Sequence, residues 1–119
     1  PGMPSRFLAS QVMIRGGENI YPAELEEFLQ KHPAVSEAQV VGAPDRDLGE
    51  EVAAFIIAKP GASVTAQEIK DHCRANLARH KLPRYVEFVD AFPLTPSGKI
   101  QKFRLREVAA ELAKKDGRA

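Results

Sequence analysis

The sequence is poor in the residues and patterns that define several classes of protein. Its 119 residues include one cysteine, Cys73, which cannot form an internal disulfide. This excludes a disulfide scaffold and is typical of a reducing, cytoplasmic setting. No apolar run is long enough to span a bilayer, and the first residues, PGMPSRFLAS, lack the order of a signal peptide. We therefore expect a cytoplasmic protein without a transmembrane segment.

An excess of charge of one sign is also missing. The formal net charge is +1 at neutral pH, so the protein has no general field that would gather nucleic acid or anionic lipid. We expect no nucleic-acid partner. The length and the hydrophobic fraction of 44% fit one soluble globular domain.

The first half of the chain shows strand, turn and helix patterns in alternation. VMIRGGENI predicts a β-turn-β around Gly16 and Gly17, and YPAELEEFLQKH predicts a helix with its apolar residues on one face. AVSEAQVVGAP predicts a strand that Gly42 and Pro44 stop, and EEVAAFIIAKP predicts a second strand. We expect these two strands to pair as an antiparallel hairpin with a longish loop.

The second half continues the alternation. SVTAQEIKDHCRANL predicts a helix in which Thr65 is the N-cap and Glu68 completes a capping box. A strand over 85–89 and a helix through RLREVAAEL follow, and the last residues, KKDGRA, have the composition of a frayed tail. This order predicts an α+β domain, in which a small, mostly antiparallel sheet follows a short β-turn-β and carries the helices on one face.

One lysine stands in an unusual context, the stretch PLTPSGKIQK. Two prolines and Gly98 oppose a helix before Lys99, so this lysine lies on a loop. A lysine on a surface loop is most often simply solvated. A compact cation on a long stem is, however, suited to reach phosphate or carboxylate oxygens in a neighbouring pocket. The stretch is no phosphate-binding P-loop, since Pro93 and Ile100 replace the glycine and the Ser or Thr of that motif.

The glycine pair in RGGENIYP is the second candidate site. Adjacent glycines are common in turns, but without Cβ atoms they also let a slender ligand approach the backbone closely. The glycine spacing of a KH nucleic-acid loop is absent, because Asn19 stands three residues after Gly16.

The remaining polar candidates are interpreted as structural or solvated. PDRDLGEE, with Asp45, Asp47, Glu50 and Glu51, lacks the spacing of a calcium loop and is interpreted as a solvated turn. The histidines share no ligand spacing and are assigned to the surface or to helix ends, so no metal site is expected. Cys73 lies in an apolar helical row and is interpreted as a core residue. The three histidines are His32, His72 and His80.

A local charge asymmetry leaves a second function open. Between residues 79 and 106 seven basic residues stand against the acids Glu87 and Asp90, a composition that fits either an anionic partner or a solubilising surface. The basic residues are Arg79, Lys81, Arg84, Lys99, Lys102, Arg104 and Arg106.

Together these stretches resemble the C-terminal domain of the adenylate-forming superfamily, and most of all that of the acyl-CoA synthetases or fatty-acid–CoA ligases. The segment from MIRGGENIYPAELEEFLQ to FIIAKPG is similar to the part of the family that follows the hinge. KLPRYVEFVDAFPLTPSGKIQKFRLRE is similar to its closing lysine motif. The resemblance covers 12–107, and it assigns 12–113 to the domain, 1–11 to an unmatched segment near the hinge and 114–119 to the tail.

The resemblance implies a function for both candidate turns. It implies that Lys99 enters the active site of a large N-terminal adenylation domain, where acid and ATP with Mg²⁺ form an acyl-adenylate. It further implies that the domain then rotates about a hinge, so that Gly16, Gly17 and Glu18 line the channel of CoA. Gln11 falls at the hinge, where the family has Asp or Lys, and Leu8 stands where the family has arginine.

Two functions are therefore expected. The first is the mobile lid of an acyl-CoA synthetase, inactive and without bound cofactor when separated from its adenylation domain. The alternative is a free-standing α+β module that binds an anionic partner through the basic segment 79–106. In the first case the acyl substrate is set by residues of the large domain.

Overall fold

The computed structural model describes residues 12–119, and within them the strands and helices follow the predicted order. A short 3-10 turn, Arg79–Lys81, connects the second helix to the last strand. The elements are β1 (Met13–Arg15), β2 (Glu18–Ile20), α1 (Pro22–Gln30), β3 (Val35–Asp45), β4 (Gly49–Ala58), α2 (Ala66–Asn76), β5 (Tyr85–Phe88) and α3 (Lys102–Lys115). No helix in this part of the chain has the length and apolar composition required to cross a bilayer.

The sheet is built on the long β3–β4 hairpin. Its strand order is β2-β1-β4-β3, all antiparallel, and β5 adds to β4 in parallel. The predicted α+β class with a mostly antiparallel sheet is confirmed.

The hairpin differs from the prediction at its turn. Gly42 and Pro44 do not stop β3, because both continue the ladder to β4, and the connection is only residues 46–48. Proline is tolerated because β3 lies at the end of the strand order, where every second residue points its N–H away from the sheet. At Gly42 a Cβ would meet the Glu50 carboxylate, so any larger residue here would have to displace the Glu50 side chain.

Two separate cores cover the two faces of the sheet. On one face α1 and α2 pack, and on the other face α3 packs, so the prediction that the helices lie on one face is wrong for α3. The physical reason is β4: residues 52–56 are all buried, and a strand that is apolar on both faces needs cover on both. The first core includes Leu25, Leu29, Val40, Val52, Ala54, Ile56, Ile69 and Cys73, and the second includes Val41, Ala43, Ala53, Phe55, Phe92, Leu105, Ala109 and Ala113.

The helix starts follow local sequence rules. Pro22 occupies the first turn of α1, where its missing N–H has no helical partner to lose. In α2 the predicted capping box is confirmed: Glu68 N donates to Thr65 Oγ1 at 3.1 Å, and Thr65 N donates to Glu68 Oε1 at 2.8 Å. Residues close in sequence therefore determine where both helices begin.

The last residues are not the frayed tail that we expected over 114–119. Helix α3 continues to Lys115, and Arg118 returns to the β3–β4 hairpin. The Arg118 guanidinium donates to both oxygens of the buried Asp45 carboxylate at 2.6 and 3.0 Å, and Arg46 N donates to Arg118 O at 2.8 Å. The hydrogen bond from Arg118 lowers the pKa of Asp45 to about 2. This pair therefore joins the C-terminus to the hairpin turn.

Acid should weaken this connection. Because the pKa of Asp45 in the fold lies below its ordinary value of 3.8, its stabilising effect is complete above pH 3.8 and is lost as pH falls towards 2. We expect Asp45→Asn to lower the free energy of unfolding at neutral pH by roughly 1–3 kcal/mol, because the Arg118 guanidinium loses its buried carboxylate partner. Urea unfolding at neutral pH and near pH 2 measures this, with Asp90→Asn as the exposed control. A difference between Asp45→Asn and the parent that does not shrink in acid would contradict the assignment.

Candidate functional site

Lys99 lies at the exposed end of a closed hairpin loop between β5 and α3. Leu94 and Ile100 form an antiparallel bridge at its base. Within the loop, Thr95 N donates to Lys99 O at 2.8 Å, and Lys99 N donates to Thr95 Oγ1 at 3.0 Å. Gly98 has a φ of +90°, which the turn requires and which glycine adopts without strain. The prediction that Lys99 lies on a loop and not on a helix is confirmed.

The base of this loop is attached to the second core. Phe92 is buried among residues of β4 and α3, and Ile100 packs at the edge of the same cluster. Gln101 N donates to Pro93 O at 2.8 Å, which continues the ladder one step beyond the bridge. The loop thus has a fixed base and an exposed tip.

The Gly16-Gly17 turn joins β1 to β2 and is exposed. Both glycines have positive φ, +58° and +85°, which explains why neither carries a side chain. A Cβ on Gly16 would lie 3.2 Å from the Leu48 side chain, whereas a Cβ on Gly17 would meet no atom within 4 Å. The turn therefore presents a bare backbone surface at Gly17.

Two glutamates hold β1, and with it the glycine turn, against the sheet. The β1–β4 ladder contains the single pair Arg15 and Gly49. Side chains add what this short ladder lacks: Arg15 Nε donates to Glu51 Oε1 at 2.7 Å, and Ile14 N donates to Glu50 Oε1 at 2.9 Å. The Glu51 side chain is only 3% exposed, so Arg15 is the cationic partner of a nearly buried carboxylate.

The interpretation of PDRDLGEE as a solvated turn is consequently wrong for two of its acids. Asp45 and Glu51 are buried, each in an ion pair with an arginine distant in sequence. The alternation of side chains along β4 could have indicated that Glu51 is buried, because Glu51 lies on the same face of the strand as the buried Ala53 and Phe55. No local signal identified Arg15 or Arg118 as the partners.

The other nucleophilic and metal-binding candidates are structural. Cys73 is fully buried, and burial raises the pKa of its thiol to about 11, so its interpretation as a core residue is confirmed. His72 stacks on Phe28 and meets the edge of His32 at 4.8 Å between ring centroids. Burial, and then the charge of His32, lower the pKa of His72 and favour its neutral form.

Across residues 12–119 no three His, Cys, Asp or Glu side chains are grouped as a metal site would require. Within these residues, therefore, no set of the carboxylate donors that Mg²⁺ prefers is assembled.

The basic segment 79–106 does not form one free cationic surface. Lys81 pairs with Glu24 at 2.8 Å, Arg84 pairs with Asp116 at 2.7 Å, and Lys102 pairs with Glu26 at 2.5 Å. These contacts neutralise part of the charge that the sequence placed there, which disfavours the alternative of an anionic partner bound along the segment.

The remaining candidates are on separate elements. Lys99 lies between β5 and α3, and Gly16, Gly17 and Glu18 lie at the β1–β2 turn. Glu18 approaches His80 of the 3-10 turn at 3.4 Å. Gln11, the predicted hinge, lies outside the described residues.

Comparison with known proteins gives consistent matches. Residues 24–99 match the family model of the AMP-binding enzyme C-terminal domain. The mouse protein "Medium-chain acyl-CoA ligase ACSF2, mitochondrial" is 58% identical over 99 residues, which are 83% of this chain and 16% of the mouse protein. The chain thus spans less than a fifth of this relative's length.

Solved structures agree with this match. The crystal structure of apo MatB from Rhodopseudomonas palustris has a TM-score of 0.82 at 36% identity, covering 86% of this chain and 20% of that chain. A Mycobacterium tuberculosis fatty acyl CoA synthetase has a TM-score of 0.78 at 44% identity, covering 87% of this chain and 20% of that chain. With its fold, its loop and turn in place, and a family model that spans more than half of its residues, the chain belongs to the AMP-binding enzyme C-terminal domain family.

Proposed function

We propose that the chain is the mobile C-terminal lid of an ATP-dependent acyl-CoA synthetase and that it acts only together with a large N-terminal adenylation domain. The reaction joins a carboxylic acid to ATP as an acyl-adenylate with release of pyrophosphate, and then transfers the acyl group to CoA with release of AMP. ATP with Mg²⁺ and CoA would be bound by the complete enzyme and not by this chain alone. The single buried cysteine supports a cytoplasmic location, although the mouse relative is named as mitochondrial.

The observation that carries this proposal is the exposed Lys99 at the end of an ordered loop. When a carboxylate oxygen attacks the α-phosphorus of ATP, negative charge accumulates on the phosphate oxygens and on the departing pyrophosphate. A lysine ammonium held at that point stabilises the transition state, where this charge develops, more than it stabilises the bound reactants. It therefore lowers the barrier. The ordered base of the loop supports such a role, because a fixed cation need not be positioned during the reaction.

The glycine turn would serve the second half-reaction. There the CoA sulfur attacks the carbonyl carbon of the adenylate, the bond to the phosphate oxygen breaks, and AMP leaves. The pantetheine arm is slender, and a wall of bare backbone at Gly17 leaves room for it. Lys99 and the glycine turn lie on separate elements, and we propose that the domain rotates about a hinge at Gln11 to present each of them in turn.

Exposed apolar side chains next to the two candidate sites support docking on a larger domain. Leu94 and Phe103, which flank the Lys99 loop in sequence, are 56% and 49% exposed, and Ile14 beside the glycine turn is 53% exposed. Apolar side chains of this size are better placed in an interface than in water.

Loss of the Lys99 ammonium should affect the first half-reaction selectively. In the enzyme that joins this chain to its adenylation domain, we expect Lys99→Ala to slow adenylate formation by about 10²–10³-fold, the range for loss of one preorganised charge-stabilising group. Thioester formation from supplied acyl-adenylate should change little. Single-turnover assays of each half-reaction measure this, with the exposed Lys59→Ala as control. Equal losses in both half-reactions would refute the role of Lys99.

The glycine turn should show the opposite selectivity. We expect Gly17→Ala to slow thioester formation by about tenfold or more, as displacement of a reactant does, while adenylate formation is retained. Gly61→Ala is a matched control, because Gly61 has a similar φ of +79° and a Cβ there also meets nothing within 4 Å. Both variants carry the same backbone strain, so an equal effect of the two on thioester formation would exclude a channel at Gly17.

A further inference from the structure

Lys102 holds the first turn of α3 against two elements that are distant in sequence. Its ammonium donates to Glu26 Oε2 of α1 at 2.5 Å and to Val40 O of β3 at 3.2 Å. The same Glu26 oxygen accepts a bond from Val40 N at 2.9 Å. The side chains of Lys102 and Glu26 are 18% and 15% exposed, so solvent screens this pair less than a surface ion pair.

The position of this lysine is unfavourable for the helix itself. Lys102 is the first residue of α3, the N-cap Gln101 makes no side-chain cap, and the first turn contains no acidic residue. A cation at a helix N-terminus opposes the helix dipole and would ordinarily cost stability. Glu26 offsets this cost through a tertiary contact. The Lys102–Glu26 ion pair therefore fixes the position of the N-terminus of α3 in the fold and does not stabilise the helix by a local interaction.

Where α3 begins decides where the Lys99 loop sits. Only Ile100 and Gln101 separate Lys99 from Lys102, and the Gln101 amide is already bonded to Pro93 O. One strand of the loop base therefore continues directly into the residue that Glu26 holds. On the other strand the corresponding anchor is the buried Phe92.

We propose that Lys102, through Glu26 and Val40 O, is a positioning residue for the Lys99 loop. The inference rests on the proposed function for its catalytic consequence, but its structural part, the ordering of residues 94–101, is independent of that function. Lys102 acts through Lys99 and not on substrate, because its ammonium is already bonded to Glu26 and Val40 and is largely buried.

Lys102→Met is the informative variant. Methionine keeps most of the apolar stem and removes the charge, while Glu26 keeps its bond from Val40 N. Arg84→Met is the matched control, since it removes an ion pair to Asp116 at 2.7 Å that does not touch the loop. Lys102→Arg restores a cation and should recover most of the lost function.

Amide hydrogen exchange on this chain, which has its own two cores, tests the structural part. We expect Lys102→Met to accelerate exchange at Thr95, Gly98 and Lys99, whose amides are bonded within the loop, while Arg84→Met leaves them as in the parent. Unchanged exchange at these three amides in Lys102→Met would overturn the proposal, whatever the activity data show.

Half-reaction kinetics of the complete enzyme test the catalytic part. We expect Lys102→Met to slow adenylate formation by about tenfold to a hundredfold, the effect of a misplaced catalytic group, and to spare thioester formation. In a Lys99→Ala background Lys102→Met should add almost nothing, because residues that act as a unit are not additive. Full additivity, or equal loss in both half-reactions, would overturn the proposal. If Lys99→Ala alone leaves adenylation intact, the proposed function fails instead, and the exchange experiment still decides the positioning role.

Discussion

Strand β4 carries a continuous buried stretch, residues 52–56, whose side chains alternate between two cores. Such a strand must be covered on both faces, because leaving a large apolar side chain in water forfeits about 1.5–3 kcal/mol of stabilisation by burial. This requirement places α1 and α2 on one side of the sheet and α3 on the other. The two candidate sites follow from it, since the glycine turn leads into α1 and the Lys99 loop leads into α3.

Three partly buried ion pairs then fix how these layers meet. Arg15 with Glu51 holds β1 to β4, Glu26 with Lys102 holds α1 to α3, and Asp45 with Arg118 holds the hairpin turn to the C-terminus. Each joins residues that are far apart in sequence. Such pairs are weak evidence for stability, because desolvation offsets much of the attraction. Their common feature here is that each specifies a geometry that apolar packing alone leaves adjustable, and two of them lie next to a candidate site.

The elements with strong local signals were predictable. Pro22 and the apolar row of α1, the Thr65 and Glu68 capping box, and the glycine turn each depend on neighbours within four residues, so a sequence pattern describes them completely. The continuation of β3 through Pro44 and the short hairpin turn were not predictable by the same rules. Whether a proline ends a strand depends on whether its N–H would have faced a partner, and that is a property of the sheet order.

The sequence by itself determined the α+β class, the order of the elements and the placement of Lys99 and Gly17 on exposed, glycine-dependent turns, because backbone conformation and alternation are local properties. It also contained the motifs of the family. Only the tertiary structure decided that α3 covers the second face, that Glu51 and Asp45 are buried, and that Lys102 is bound by Glu26. These outcomes depend on which distant segments meet, and the energy of a buried charge is set by the partner that the fold brings to it.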